Sequence, residues 1–188
     1  MKKKKKKNFE TKFWAGFEAG NPFEASDALF DFAHLDYYKR NLTQAVLYSF
    51  KEEICSNDRP SEIFIFYKAI WSFLKTYYCL HKKSSKWRVK ESVRNENVFH
   101  LTSLTKQEYD NPFTVFRKAF AEKSLKEFEF FLSEIVSVSL SPYKGDGDID
   151  LTTPYIHLIK MLDAGELMRE RGLEKIKKVN ESKENAEC

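Results

Sequence analysis

Hydrophobic side chains recur at spacings of three and four residues in the first third of the chain, a period that predicts an amphipathic helix. Asn21 is a suitable N-cap residue and Pro22 a suitable first helical residue, so we expect the helical part to start there. The pattern continues to about Cys55, before the helix-breaking sequence SNDRP. The stripe on one helix face consists of Leu35, Tyr38, Leu42, Ala45, Val46 and Ser49.

The same period returns in the second half of the chain. A second NPF sequence, at residues 111–113, precedes it and predicts another helix or helix pair. After the breaker SPYKGDGDID, a final amphipathic helix is predicted with Thr153 as its cap and Pro154 as its first residue. The stripe between these two points consists of Leu125, Phe128, Leu132, Ile135 and Ser139.

Residues 61–81 are apolar on nearly every side, which is typical of a helix buried in the centre of a bundle. Ser61 is a plausible cap for it. The alternative is a membrane span, but Lys68 and Lys75 would be costly in hydrocarbon, so we expect none. Residues 82–110 are less regular and predict a long connection with short helical pieces.

These patterns predict an all-α fold, a helical bundle of about five or six helices. Only 11 residues are Gly or Pro, too few for a fold with many tight turns, and 29 aromatic residues provide large apolar surfaces to bury. We expect a basic tail and lead-in at residues 1–20, one helical domain at 21–172, and a charged tail at 173–188.

The two NPF sequences raise the question of an internal repeat. Without gaps, residues 21–50 match residues 111–140 at eight of thirty positions, and the later matches fall on the helical stripes. This pattern is typical of duplicated helical hairpins, with halves at 21–81 and 111–172. The alternative is chance, because helical stripes that do the same packing resemble one another.

The formal net charge of +4 depends on six lysines at positions 2–7; without them the chain has 26 basic and 28 acidic residues. The lysines form either an arm that attracts nucleic acid or anionic lipid, or a disordered terminus. The three cysteines form no CxxC pair or other metal-binding pattern, which favours a reducing cytoplasm.

A basic segment at residues 82–94 contains six Lys or Arg residues and one Glu. Cations there could hold a phosphate backbone while an indole stacks on a base. The alternative is a solvated connection whose Trp packs back onto the core. The candidate nucleic-acid-binding residues are Lys82, Lys83, Lys86, Trp87, Arg88 and Lys90.

The sequence RNENVFH, from Arg94 to His100, resembles the Arg-x4–6-His motif of HEPN-domain ribonucleases, which are small all-α bundles. The resemblance covers seven residues. It implies that His100 would act in RNA cleavage and that Arg94 would contact the phosphate. The alternative is a surface Arg and a His at a helix edge.

Three alternating aspartates, Asp146, Asp148 and Asp150, match the first positions of an EF-hand calcium loop. The match then fails, because Leu151 stands where Gly is required and His157 where a bidentate Glu is required. The alternative interpretation is that these acidic residues favour the positive end of the following helix.

The sequence contains no GxGxxG, P-loop, GxSxG or HExxH motif. We therefore expect no cofactor and predict a non-catalytic, cytoplasmic protein-interaction or regulatory module that binds a protein partner or itself. Nucleic-acid binding through residues 82–94 is the alternative, and RNA cleavage through Arg94 and His100 is the next one.

Overall fold

A computed structural model describes residues 19, 21–51, 53–54, 60–91, 102–143 and 149–176. These ranges contain seven α-helices, a 3-10 turn at Ser84–Lys86 and two short strands, so the predicted helical class is confirmed, with one or two helices more than expected. The helices are α1 (Pro22–Phe32), α2 (Leu35–Ser49), α3 (Pro60–His81), α4 (Lys106–Asp110), α5 (Phe113–Glu122), α6 (Leu125–Ser139) and α7 (Thr152–Arg171). The strands are β1 (Trp87–Val89) and β2 (Leu173–Lys175).

The start of α1 is as predicted, since the Asn21 side chain accepts hydrogen bonds from the backbone N–H groups of Phe23 and Glu24. The predicted single helix to Cys55 is wrong, because the backbone is extended at Ala33 and the helix resumes as α2, which ends at Ser49. Across this break the Tyr38 hydroxyl donates to the Leu29 carbonyl at 2.6 Å, which fixes α2 against the end of α1.

Two further helix starts differ from prediction. Helix α3 begins at Pro60, so Ser61 lies inside the helix and is not its cap. Helix α7 begins at Thr152 and Leu151 is its N-cap residue, while the carboxylate of Asp150, one residue earlier, accepts from the Thr153 N–H at 3.0 Å. A carboxylate at this position also interacts favourably with the positive end of the helix.

The core lies between the long helices α3 and α7. Helix α3 contacts α1, α2, α5 and α6, and its side chains Phe73 and Tyr77 are fully buried. The Tyr77 ring stacks on Phe116 of α5, with centroids 4.7 Å apart and planes at 8°. The expectation of a central buried helix is therefore confirmed. None of the helices in the described ranges has the length and apolar character that a membrane crossing requires.

The two helix pairs α1–α2 and α5–α6 keep the same spacing along the chain. Helix α2 spans residues 35–49 and α6 spans 125–139, an offset of 90 residues, and α1 and α5 also end 90 residues apart. Ser49 and Ser139 are both buried and both donate to the carbonyl three residues earlier. A duplicated hairpin requires such boundaries, while the duplication itself stays a prediction.

Candidate functional site

The basic segment is part of a two-stranded antiparallel ribbon, which the sequence did not predict. Strand β1 pairs with β2, and Arg88 lies opposite Glu174. Hydrogen bonds continue the pairing at both ends, from Lys90 N–H to the Gly172 carbonyl at 3.1 Å and from Ile176 N–H to the Lys86 carbonyl at 3.0 Å. The backbone from residue 86 to residue 90 is therefore held along its whole length.

Gly172 makes this ribbon possible. Its φ of 75° lies in the left-handed region, which glycine adopts without the steric cost that other residues meet. The chain can thus leave α7 and turn directly into β2. Gly172 N–H still donates to the Met168 carbonyl at 3.0 Å, which completes the helix end.

Side chains along the segment alternate between solvent and core, as a strand requires. Lys86, Arg88 and Lys90 are exposed, whereas Trp87 and Val89 are half-buried and pack against the core. The Trp87 ring lies 4.9 Å from the Phe23 ring and has the Lys175 ammonium 5.6 Å from its centroid. This placement matches the alternative interpretation in which the indole packs back onto the core.

We use the name ribbon surface for the five cations that this geometry exposes. Arg88 forms an ion pair with Glu174 at 2.5 Å, while no carboxylate of the described residues forms an ion pair with any of the four lysines. Lys82 and Lys83 follow the end of α3, and the Lys82 ammonium lies 4.2 Å from the Tyr78 ring centroid. The ribbon surface consists of Lys82, Lys83, Lys86, Arg88 and Lys90.

A cleft of about 200 Å³ lies beside the ribbon, and its charged lining residues, Asp27 and Arg169, belong to a cluster with further carboxylates. Asp27 lines it together with Gly172, Leu173 and Arg169. The Arg169 guanidinium lies 3.8 Å from Asp27 and 3.7 Å from Glu166, and it also bonds Asp31, so one cation serves three carboxylates. Burial raises the pKa of Glu166, and the opposing effect of the Arg169 charge is smaller.

The candidate catalytic pair, Arg94 and His100, lies outside the described residues, as do Asp146 and Asp148. Asp150, the third candidate metal ligand, accepts from the Thr153 N–H in the first turn of α7 and pairs with Lys123 at 3.2 Å. The hydrogen bond from the Thr153 backbone lowers the pKa of Asp150. Within the described ranges no three side chains of the metal-binding types come together.

Two residues of this site, Glu174 and Lys175, were missed because residues 173–188 were expected to form a tail. Their role depends on pairing with residues about 86 positions earlier, which the local pattern of a three-residue strand does not reveal. The available signal was Gly172 directly after a helix end.

Comparison with protein-family models, curated proteins and solved structures finds no match for this chain. No relative therefore suggests a function, and the proposals below rest on the geometry and charge of the described surface.

Proposed function

We propose that this chain is a non-catalytic, cytoplasmic helical module that binds nucleic acid through the ribbon surface. The observation that supports this proposal is the presence of five exposed cations within nine consecutive residues, four of which form no ion pair with a carboxylate in the part of the chain that the structure describes. Such a surface gains binding free energy by releasing the counterions condensed on a phosphate backbone.

The ribbon fixes the backbone that carries three of these cations, Lys86, Arg88 and Lys90. Backbone pairing with β2 holds residues 86–90, and Trp87 anchors the strand to the core through Phe23. Less backbone ordering is then required on binding than for a flexible basic tail. The positive charges of Lys82 and Lys83 can be explained by helix stability alone, because cations at a helix C-terminus interact favourably with its dipole. Lys86 and Lys90 lie beyond that helix end, which favours a role in binding.

Fluorescence anisotropy with labelled single-stranded RNA and duplex DNA tests the proposal. The full chain is used with Lys2–Lys7 replaced by Gln, so that the N-terminal lysines do not contribute. We expect binding that weakens steeply between low and near-physiological salt. The triple variant K83A/K86A/R88A should bind at least about tenfold more weakly.

The matched control is R40A/K106A/K126A, which removes the same number and kinds of exposed charge elsewhere on the molecule. It should bind like the parent protein. Absence of binding, or an equal loss in the control, would overturn the proposal. Ribbon-dependent binding to anionic lipid vesicles without binding to nucleic acid would identify a membrane surface as the ligand instead.

Self-association is a second candidate function, because large apolar side chains are exposed on helices that pack together. Leu47 of α2 is 54% exposed and Phe130 of α6 is 55% exposed, and α2 packs against α6. A second copy of this chain would remove such surface from water. Light scattering should show a mass above the 22.2 kDa monomer that returns to the monomer value in L47S/F130S. A strictly monomeric parent protein would end this candidate.

A further inference from the structure

The form of the nucleic acid can be specified further, on the condition that the proposed function is correct. We infer that the ribbon surface binds a single nucleic-acid strand by its phosphates and does not read the bases. Three features support this inference: the spacing of the cations, the positions of the aromatic rings, and the acidic side chains beside the ribbon.

The cation of β1, Arg88, and the two cations that flank this strand, Lys86 and Lys90, form a row. Lys86, Arg88 and Lys90 alternate with inward-facing residues, so they lie on the same outward face. Residues two apart in a strand are separated by roughly 6.6 Å. This distance is comparable to that between neighbouring phosphates along one extended strand, so each cation can face a successive phosphate.

The aromatic rings near this row are already engaged. Phe23 and the Lys175 ammonium contact Trp87, and the Lys82 ammonium lies over Tyr78. Base stacking on Trp87 would have to displace a packing contact of the core. Binding therefore depends on phosphate contacts, which carry no sequence information.

The three carboxylates grouped around Arg169 disfavour a duplex on that side of the ribbon. A duplex presents a second row of phosphates across a groove roughly 6 to 12 Å wide. Asp27 lines the cleft next to Gly172 and Leu173, and with Asp31 and Glu166 it shares the single Arg169 cation. The second phosphate row would meet this excess negative charge, whereas a single strand can follow the ribbon alone.

A substitution of Glu174 tests the inference in the opposite direction, because it should strengthen binding. Its carboxylate already pairs with Arg88, the middle cation of the row, and therefore competes with a phosphate for it. The substitution E174Q keeps the shape of the side chain and removes the charge. It should bind single strands about threefold more tightly or better, which a folding defect would not produce.

The experiment compares three labelled ligands of equal length: oligo(dT), an abasic deoxyribose-phosphate strand, and duplex DNA. The protein is the full chain with Lys2–Lys7 replaced by Gln, with and without E174Q and K86A/K90A. Oligo(dT) and the abasic strand should bind within about threefold of each other, and the duplex at least tenfold more weakly. Each phosphate contact with a single strand contributes about −0.7 to the slope of log K against log[salt]. Three such contacts therefore predict a slope of about −2.

Three other results would contradict either the single-strand inference or the proposed function. Duplex binding that equals single-strand binding and depends on Lys86 and Lys90 would overturn the single-strand inference and leave the proposed function intact. An abasic strand that binds more than tenfold more weakly would show that bases are read, which also overturns the inference. If K86A/K90A changes none of the three affinities, the proposed function itself fails.

Discussion

Gly165 of α7 lies so close to Phe73 of α3 that a Cβ atom at Gly165 would stand 2.8 Å from the Phe73 Cε2 atom. Tyr77 lies on the same side, with its Cζ atom 3.0 Å from that position. The Phe73 and Tyr77 rings can pack this closely on the backbone of α7 because position 165 has no side chain.

The substitution G165A should therefore destabilise the protein. Overpacking costs about 1–3 kcal/mol, and the better helix propensity of Ala returns only about 1 kcal/mol. The free energy of unfolding is measured by denaturant titration. The control is S137A, at an exposed position in the last turn of α6, where no such loss is expected. A G165A protein at least as stable as the parent would contradict the close approach.

Tyr77 should contribute stability through its hydroxyl as well as its ring. The hydroxyl donates to the Gly165 carbonyl at 2.9 Å and bonds the Ser26 hydroxyl at 2.6 Å, and all three groups are buried. Y77F removes both bonds and leaves the buried Ser26 hydroxyl without this partner, so it should cost about 1–3 kcal/mol of unfolding free energy. Y143F, at a tyrosine that is 77% exposed, should cost almost nothing in the same measurement.

Glu108 should make the protein more stable at neutral than at acidic pH. Burial alone would raise its pKa, but hydrogen bonds from Lys160 at 2.8 Å, the Thr105 N–H and Lys118 outweigh burial and lower the pKa to about 2. Since the folded-state pKa lies below the unfolded value, the stabilisation is complete above about pH 4.5 and is lost as the pH falls towards 2.

The measurement is the difference in unfolding free energy between pH 7 and pH 2 for the parent protein and E108Q. The difference should shrink by about 3 kcal/mol in E108Q, following from the size of the pKa shift. E127Q is the matched control, because Glu127 forms the same kind of capping box in α6 but is exposed. Equal effects of both substitutions would contradict the special position of Glu108.

Asp163 should hold the segment before α4 onto α7. Its buried carboxylate accepts from the Ser103 N–H at 2.8 Å and the Ser103 hydroxyl at 2.6 Å, and it pairs with Lys39 of α2. D163A leaves Lys39 without its charge partner and should cost about 3–5 kcal/mol. Hydrogen exchange should become faster at residues 102–105, whereas D36A, at an exposed carboxylate of α2, should leave those amides unchanged.

The helix pattern was predictable because it is local. The stripe from Leu125 to Ser139 corresponds to α6 residue for residue, and Asn21 caps α1 as its sequence indicates. The break at Ala33 was not predictable, because neither Gly nor Pro marks it. It is stabilised by the tertiary bond from Tyr38 to Leu29, which only the folded chain provides.

The candidate site was predictable in part. The cluster of cations is visible in the sequence, but its ribbon is not, since β1 pairs with residues about 86 positions later. Three-residue strands are too short to show a period of two reliably. The orientation of Trp87 likewise depends on its distant contact with Phe23, so the sequence left both of its interpretations open.

The packing of the two helix pairs has a consequence for how the protein folds. Helix α2 of the first half packs on α7 of the second, and α6 of the second half packs on α3 of the first. Each half therefore covers apolar surface of the other half. A fragment that contains only one half would expose the apolar faces of both its long helix and the helix that packs on the other half. Two fragments divided between positions 91 and 102 should therefore be unfolded when they are separate. When they are mixed, they should fold together in one cooperative step.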